Sequence, residues 1–148
     1  MQRQVVIFQQ IEYGSARYRC ALRLREAVLR TPLGLALGAE DLRGEDKQLH
    51  FGLFFDGRIV ACVVAVPLSA TEARIRQTAV EPTCQRQGLA STMMRKLEDN
   101  LAARGFRSLS MHARASAIGF YSDLGYQPEG DEFIEVTIPH RKMVKSLT

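Results

Sequence analysis

Apolar and polar positions change their spacing several times along the chain, and each change marks an element. Val5 to Phe8 is a short β-branched and aromatic run that predicts a first strand. Ser15 is suited to cap a helix in which Tyr18, Leu22, Arg25 and Leu29 share one face, with Ala21 and Val28 beside them. Thr31-Pro32 ends that helix, because a residue before proline is pushed out of the helical region. Residues 33–42 read as loop or as a second short helix.

The β signal then strengthens. Gln48 to Phe55 and Arg58 to Val66 are apolar runs joined by Asp56-Gly57, a two-residue hairpin signal because glycine accepts positive φ. A turn at Ser69 to Glu72 leads into a third run, Arg74 to Val80. Helical spacing returns after Gly88: Ala90, Met93, Met94, Leu97 and Leu101 form one stripe, stopped by Gly105. Phe106 to Ala113 reads as a strand with Leu109, Met111 and Ala113 on one parity. Ser116 to Leu124 reads as a short helix closed by Gly125, and Phe133 to Ile138 and Lys142 to Val144 as closing strands around Pro139-His140. The predicted fold is α/β, one domain over residues 1–148, with a mixed sheet flanked by helices.

Composition narrows the classes. A chain of 148 residues with 46% hydrophobic content holds one core. No apolar run approaches the roughly 20 residues of a membrane span, and the four-residue apolar run near the N-terminus is too short for a secretory signal. Cys20, Cys62 and Cys84 are odd in number and widely spaced, which fits neither a disulfide framework nor a zinc site and points to reduced thiols in a cytoplasm. The net charge of +4 is spread along the chain without an RNA-binding aromatic signature, so a solvated basic surface is the preferred reading over a nucleic-acid partner.

The connection between Val80 and the following helix carries the chemistry. A strand, a glycine-bearing loop and a helix opening on that glycine aim free backbone N–H groups and the positive helix end at one point, which suits phosphate-type anions. There is no G-K-S/T for a nucleotide P-loop and no G-x-G-x-x-G for a dinucleotide. What stands here is Gln85-x-x-Gly88-x-Ala90, with Arg86 inside.

That pattern resembles the acetyl-CoA-binding loop of the GNAT N-acetyltransferase superfamily, Q/R-x-x-G-x-G/A after the fourth strand. Residues 117–126, A-I-G-F-Y-S-D-L-G-Y, are similar to the family's A-i-x-F-Y-x-x-x-G-F/Y segment. Residues 22–34 resemble the first helix of a bacterial subgroup, and residues 135–143, E-V-T-I-P-H-R-K-M, its closing I-P-H-x-x-M. Together the segments cover nearly the whole chain in the family's order.

The resemblance implies a GNAT fold with a mostly antiparallel sheet, acetyl-CoA as cofactor, and transfer of its acetyl group to a primary amine of a small molecule or peptide in a ternary complex. It implies that Ala79 and Val80 face the pantetheine arm, with the Val80 N–H polarising the thioester carbonyl. Gln85, Arg86, Gln87, Gly88, Leu89, Ala90 and Ser91 would surround the pyrophosphate, and Tyr121 would protonate the departing thiolate. A homodimer is left open. Tyr121 also lies on an apolar face with Ala117 and Leu124, so packing is its competing role. Met93 and Met94 are core residues, and Cys84, with no histidine placed to activate it in the motif, is an incidental thiol.

The amine must lose a proton before attack, and the base is not singled out: His112, His140, His50, Glu81, Glu72 and water all stand as candidates. Arg114 occupies the place where the family commonly has a cofactor-ordering Asn. Arg74, Arg76 and Gln77 occupy the strand where some members carry a catalytic Glu. The rival readings are a non-catalytic acyl-CoA-binding protein on the same fold and, more weakly, a small basic nucleic-acid-binding domain.

Overall fold

The computed structural model describes residues 5–148. Seven strands, β1 (Ile7–Ile11), β2 (Leu49–Phe55), β3 (Arg58–Pro67), β4 (Glu72–Val80), β5 (Ser108–Arg114), β6 (Gln127–Glu135) and β7 (Ile138–Ser146), form one sheet in the order β1-β2-β3-β4-β5-β7-β6. Its helices are α1 (Ala16–Leu29), α2 (Ala39–Leu42), α3 (Leu89–Ala103) and α4 (Ile118–Asp123). The chain divides into two compact units, residues 1–65 with 77–97 and residues 66–76 with 98–148.

In the first unit, β1, β2 and β3 pair antiparallel, and β2 turns into β3 at Asp56-Gly57, where both residues have positive φ. Observed β1 lies further along than the apolar run at Val5 to Phe8, because its register is set by partners on β2, from Ile7 opposite Phe54 to Ile11 opposite His50. Ser15 caps α1 as expected, its hydroxyl accepting from the Tyr18 N–H at 3.1 Å. Ile11, Tyr18, Ala21, Leu24, Phe54, Cys62 and Ala79 form its core cluster. A short 3-10 turn, Thr31–Leu33, follows α1, and the ambiguous segment at residues 33–42 ends in α2.

Arg25, placed by its spacing on the inward face of α1, is buried there with its charge paired. Its guanidinium donates to both carboxylate oxygens of Glu45, at 2.9 and 2.5 Å, and its Nε donates to Gln77 Oε1 at 3.1 Å. The Tyr18 hydroxyl donates to Glu45 Oε1 at 2.6 Å, and His50 Nε2 donates to the Glu45 carbonyl at 2.7 Å. A buried charge needs this density of partners.

In the second unit, β4 and β5 run parallel from Glu72 opposite Ser108 to Ile75 opposite Met111. β5 pairs antiparallel with β7, and β7 with β6. The parity expected on β5 holds, with Leu109, Met111 and Ala113 buried. The closing hairpin corrects the expectation. Its two-residue turn is Val136-Thr137, at φ +43° and +70°, and Pro139-His140 lies within β7. Residues 136 and 137, read as strand interior, are therefore the corner, and β6 begins at Gln127. β-branched residues rarely adopt left-handed backbone, so their types conceal the turn.

Of the predicted stripe on α3, Met93, Met94, Leu97 and Leu101 are fully buried, and Ala90 in the first turn is half-buried. Gly105 at φ +100° follows the helix, and the Phe106 N–H reaches back to the Leu101 carbonyl at 3.0 Å.

Candidate functional site

The connection from β4 to α3 is tightly bonded. The Glu81 N–H donates to the Val60 carbonyl at 2.8 Å. The Glu81 carboxylate caps the 3-10 turn Pro82–Cys84, accepting from the Thr83 hydroxyl and, at 2.8 Å, from the Thr83 N–H. These bonds favour the ionised form and hold the carboxyl below the usual range. Gln85 folds back, its Nε2 donating to the Val80 carbonyl at 3.1 Å. Its side chain thus braces the end of β4.

Beyond Gln85 the backbone takes left-handed conformations at Arg86 (φ +64°) and Gly88 (φ +76°). The Gly88 carbonyl accepts from the Thr92 N–H at 3.0 Å, which makes Gly88 the cap residue of α3. Having no side chain, Gly88 cannot itself cap the amides of Leu89, Ala90 and Ser91, which helix geometry leaves without an intrahelical acceptor. A Cβ at Gly88 would meet nothing within 4 Å, so the protein's demand for glycine here is conformational. Ala79, Val80 and residues 85–91 thus lie in one short stretch, with Ala79 buried and Val80 half-buried.

In the second unit β5 leads through a 3-10 turn, Ala115–Ala117, into α4, which carries Tyr121. Tyr121 is buried, its ring centroid 5.0 Å from that of Phe120 and 5.8 Å from that of Tyr126. Tyr126 is the more enclosed of the pair. Its hydroxyl donates to Glu98 Oε2 at 2.8 Å, and burial, with the Glu98 charge added, drives its pKa far up. Lys145 Nζ bonds Glu98 Oε1 at 2.8 Å and the Leu124 carbonyl at 2.6 Å, closing this cluster.

The base candidates separate clearly. His50 is buried against Tyr18 and Glu45. Glu81 serves the 3-10 turn. Glu72 opens β4, at the opposite end of that strand from Val80. His140 is buried, with Nδ1 donating to the Ile138 carbonyl at 2.9 Å. His112 is about a third exposed, and its Nδ1 stands 2.9 Å from Glu135 Oε1. The other oxygen of the same carboxylate is 3.7 Å from His140 Nε2.

The Phe133 ring lies against both imidazoles, edge-on to His112 and roughly parallel to His140. Glu135 and Phe133 are absent from the sequence-based candidates. Once the turn is placed at Val136-Thr137, their cross-strand positions facing Ile138 and His140 follow. Among the described residues no cluster of histidine, cysteine and carboxylate side chains is placed to hold a metal ion, and no helix is long and apolar enough to cross a membrane.

The model of the acetyltransferase (GNAT) family matches residues 18–126, most of the chain, from the first turn of α1 through α4. The chain belongs to the GNAT acetyltransferase family. This GNAT protein is 32% identical over 76 residues to the uncharacterized protein YyaT of Bacillus subtilis strain 168, covering 51% of each chain. It is 34% identical over 84 residues to the ribosomal protein bS18-alanine N-acetyltransferase of Escherichia coli strain K12, covering 55% of this chain and 56% of the relative. The chain spans about half the length of the curated relatives it matches. The fold extends further than that sequence likeness. The crystal structure of the Escherichia coli ribosomal-protein-S18-alanine enzyme superposes with a TM-score of 0.78 at 19% identity, over 97% of this chain and 95% of the other. A GNAT family acetyltransferase from Elizabethkingia anophelis, solved with acetyl-CoA bound, superposes with a TM-score of 0.75 at 12% identity, over 95% and 97%.

Proposed function

We propose that this protein is an N-acetyltransferase that moves the acetyl group of acetyl-CoA directly to a primary amine in a ternary complex. The observation that carries the reading is the opening of α3. Gly88, left-handed and without a side chain, opens α3 at its positive end, where helix geometry gives the amides of Leu89, Ala90 and Ser91 no intrahelical acceptor. Such a cradle fits a pyrophosphate, and Arg86 beside it supplies a cationic side chain. The acetyl-CoA seen in the Elizabethkingia relative and the amine acetylated by the bS18-alanine enzyme are in keeping with it.

Ala79 and Val80 would line the pantetheine arm, and the Val80 N–H would polarise the thioester carbonyl. β4 continues beyond Ile75, its last residue in register with β5, and the Val80 carbonyl is held by Gln85. Tyr121 would donate its proton to the departing thiolate. Calorimetric titration with CoA, followed by a thiol-release assay across alkylamines, polyamines, aminoglycosides and peptides with free N-termini, tests the reading. Micromolar binding and amine-dependent CoA release are expected. Binding without release on any amine would leave an acyl-CoA-binding protein, and no binding would overturn the cofactor assignment.

A further inference from the structure

We propose that His112 is the general base of the transfer and that Glu135 holds it in the reactive tautomer. This rests on the acetyl-transfer reading. The carboxylate can only accept, so the contact at 2.9 Å places a proton on His112 Nδ1 and leaves the lone pair of the neutral ring on Nε2. Phe133 packs edge-on against the ring and limits its rotation. His112 follows Met111, the last β5 residue in register with β4, and the same strand leads through one 3-10 turn to the helix of Tyr121. Each rival imidazole or carboxylate is buried, engaged in a cap, or at the far end of its strand, whereas His112 remains partly open to solvent.

The charged surroundings are mixed. β7 presents His140 and Lys142, the latter opposite His112 and paired with Glu129 of β6 at 3.2 Å. Glu135 faces His112 from β6. Arg74 of β4 stands opposite Ser110, and Arg114 follows on β5 itself. The Glu135 carboxylate is the group in direct contact, and it stabilises the imidazolium that forms when the base acts.

The step balances without any other reagent. Nε2 takes a proton from the ammonium form of the substrate, giving an imidazolium and a neutral amine. The nitrogen lone pair forms the C–N bond to the thioester carbonyl carbon, and the C–S bond breaks as the adduct collapses. The adduct's remaining extra proton passes to the thiolate through the Tyr121 hydroxyl, leaving amide and CoA thiol. The imidazolium returns its proton to solvent.

Two measurements test the assignment. The first follows the pH dependence of His112→Gln on the amine that wild type acetylates fastest in the panel. Below about pH 8 its kcat/KM should fall by about a hundredfold to ten-thousandfold. The deficit should shrink as pH approaches about 10, where an alkylammonium loses its proton unaided. His112→Ala should regain activity with added imidazole. A variant with the wild-type profile, or a deficit equal at every pH with unchanged KM, would overturn the role of His112 while leaving acetyl transfer standing. Absence of CoA release by wild type on every amine would instead overturn the acetyl-transfer reading and the base with it. The second measurement needs no substrate. Two-bond proton–nitrogen correlation spectra at pH 8 should show His112 protonated on Nδ1, and Glu135→Ala should shift it toward the Nε2–H form. An Nε2–H tautomer in wild type would refute the Glu135 clamp.

Discussion

Arg25 and Glu45 form a two-pronged ion pair with neither side chain reaching solvent, and the same guanidinium bonds Gln77, which stands at φ +56° within β4. One buried pair thus ties α1 and the segment before β2 to the irregular residue of the strand that ends at Val80. Glu45→Gln leaves the Arg25 charge buried without its counter-charge, and unfolding in urea should show a loss of about 3–5 kcal/mol. Arg25→Met combined with Glu45→Gln should lose less than Glu45→Gln alone, because no uncompensated charge remains. Independent, additive losses would show that the two groups are not energetically coupled.

The β6–β7 corner stores backbone strain at Val136 and Thr137, both left-handed. Each such residue costs about 1–2 kcal/mol relative to glycine or a tolerant asparagine. Val136→Asn with Thr137→Gly should therefore raise Tm by several degrees, measured by calorimetry. A lowered Tm would mean that side-chain contacts at the corner outweigh the strain.

Gly88→Ala adds a methyl group that meets no protein atom but forces an alanine to φ +76°. Thermal unfolding should shift by about 1–2 kcal/mol at most, while CoA affinity drops at least tenfold as the amides of the first helical turn move. Arg86→Ala should weaken binding less, and its effect should fade as salt rises. Unchanged affinity in Gly88→Ala would remove the α3 opening from the cofactor site.

Tyr121→Phe keeps the ring packed against Phe120 and Tyr126 and removes only the hydroxyl. With chemistry limiting turnover, kcat should fall by roughly tenfold to a thousandfold. CoA affinity should stay the same. Full kcat on a verified amine would assign Tyr121 to packing.

The three cysteines should differ in reactivity. Burial pushes the Cys62 thiol up to about 12, whereas Cys20 and Cys84 are partly exposed. Alkylation of the native protein at pH 8 should therefore modify Cys20 and Cys84 alone, with Cys62 reacting only after unfolding, as read by mass spectrometry. Bound CoA should slow modification of Cys84. Because the folded value lies above the unfolded one of about 8.5, the thiol's contribution to stability is complete below that pH. It declines as pH rises toward 12.

Local rules were enough to read α1, α3 and α4, the parity of β5, the Asp56-Gly57 corner and the motif around Gly88. Helical period, alternation, capping and positive-φ glycine all act within a few residues of chain, so the sequence displays them directly. Arg25 already stood on the inward face of α1 by its spacing, but nothing local names Glu45 as its partner. The limits of β1 were likewise invisible, because strand register is set by residues far along the chain. The clearest case is the closing hairpin. Val136 and Thr137 have the residue types of a strand interior, and only the pairing of β6 with β7 forces them through a left-handed corner. That corner brings Glu135 to His112 and His140, residues separated in sequence and joined across three strands. The Gln85-x-x-Gly88-x-Ala90 pattern and the strand and helix on either side of it were legible from residue types alone. Which histidine meets a carboxylate was decided by tertiary structure, because a contact of 2.9 Å between residues 112 and 135 depends on strand pairing that no local preference encodes.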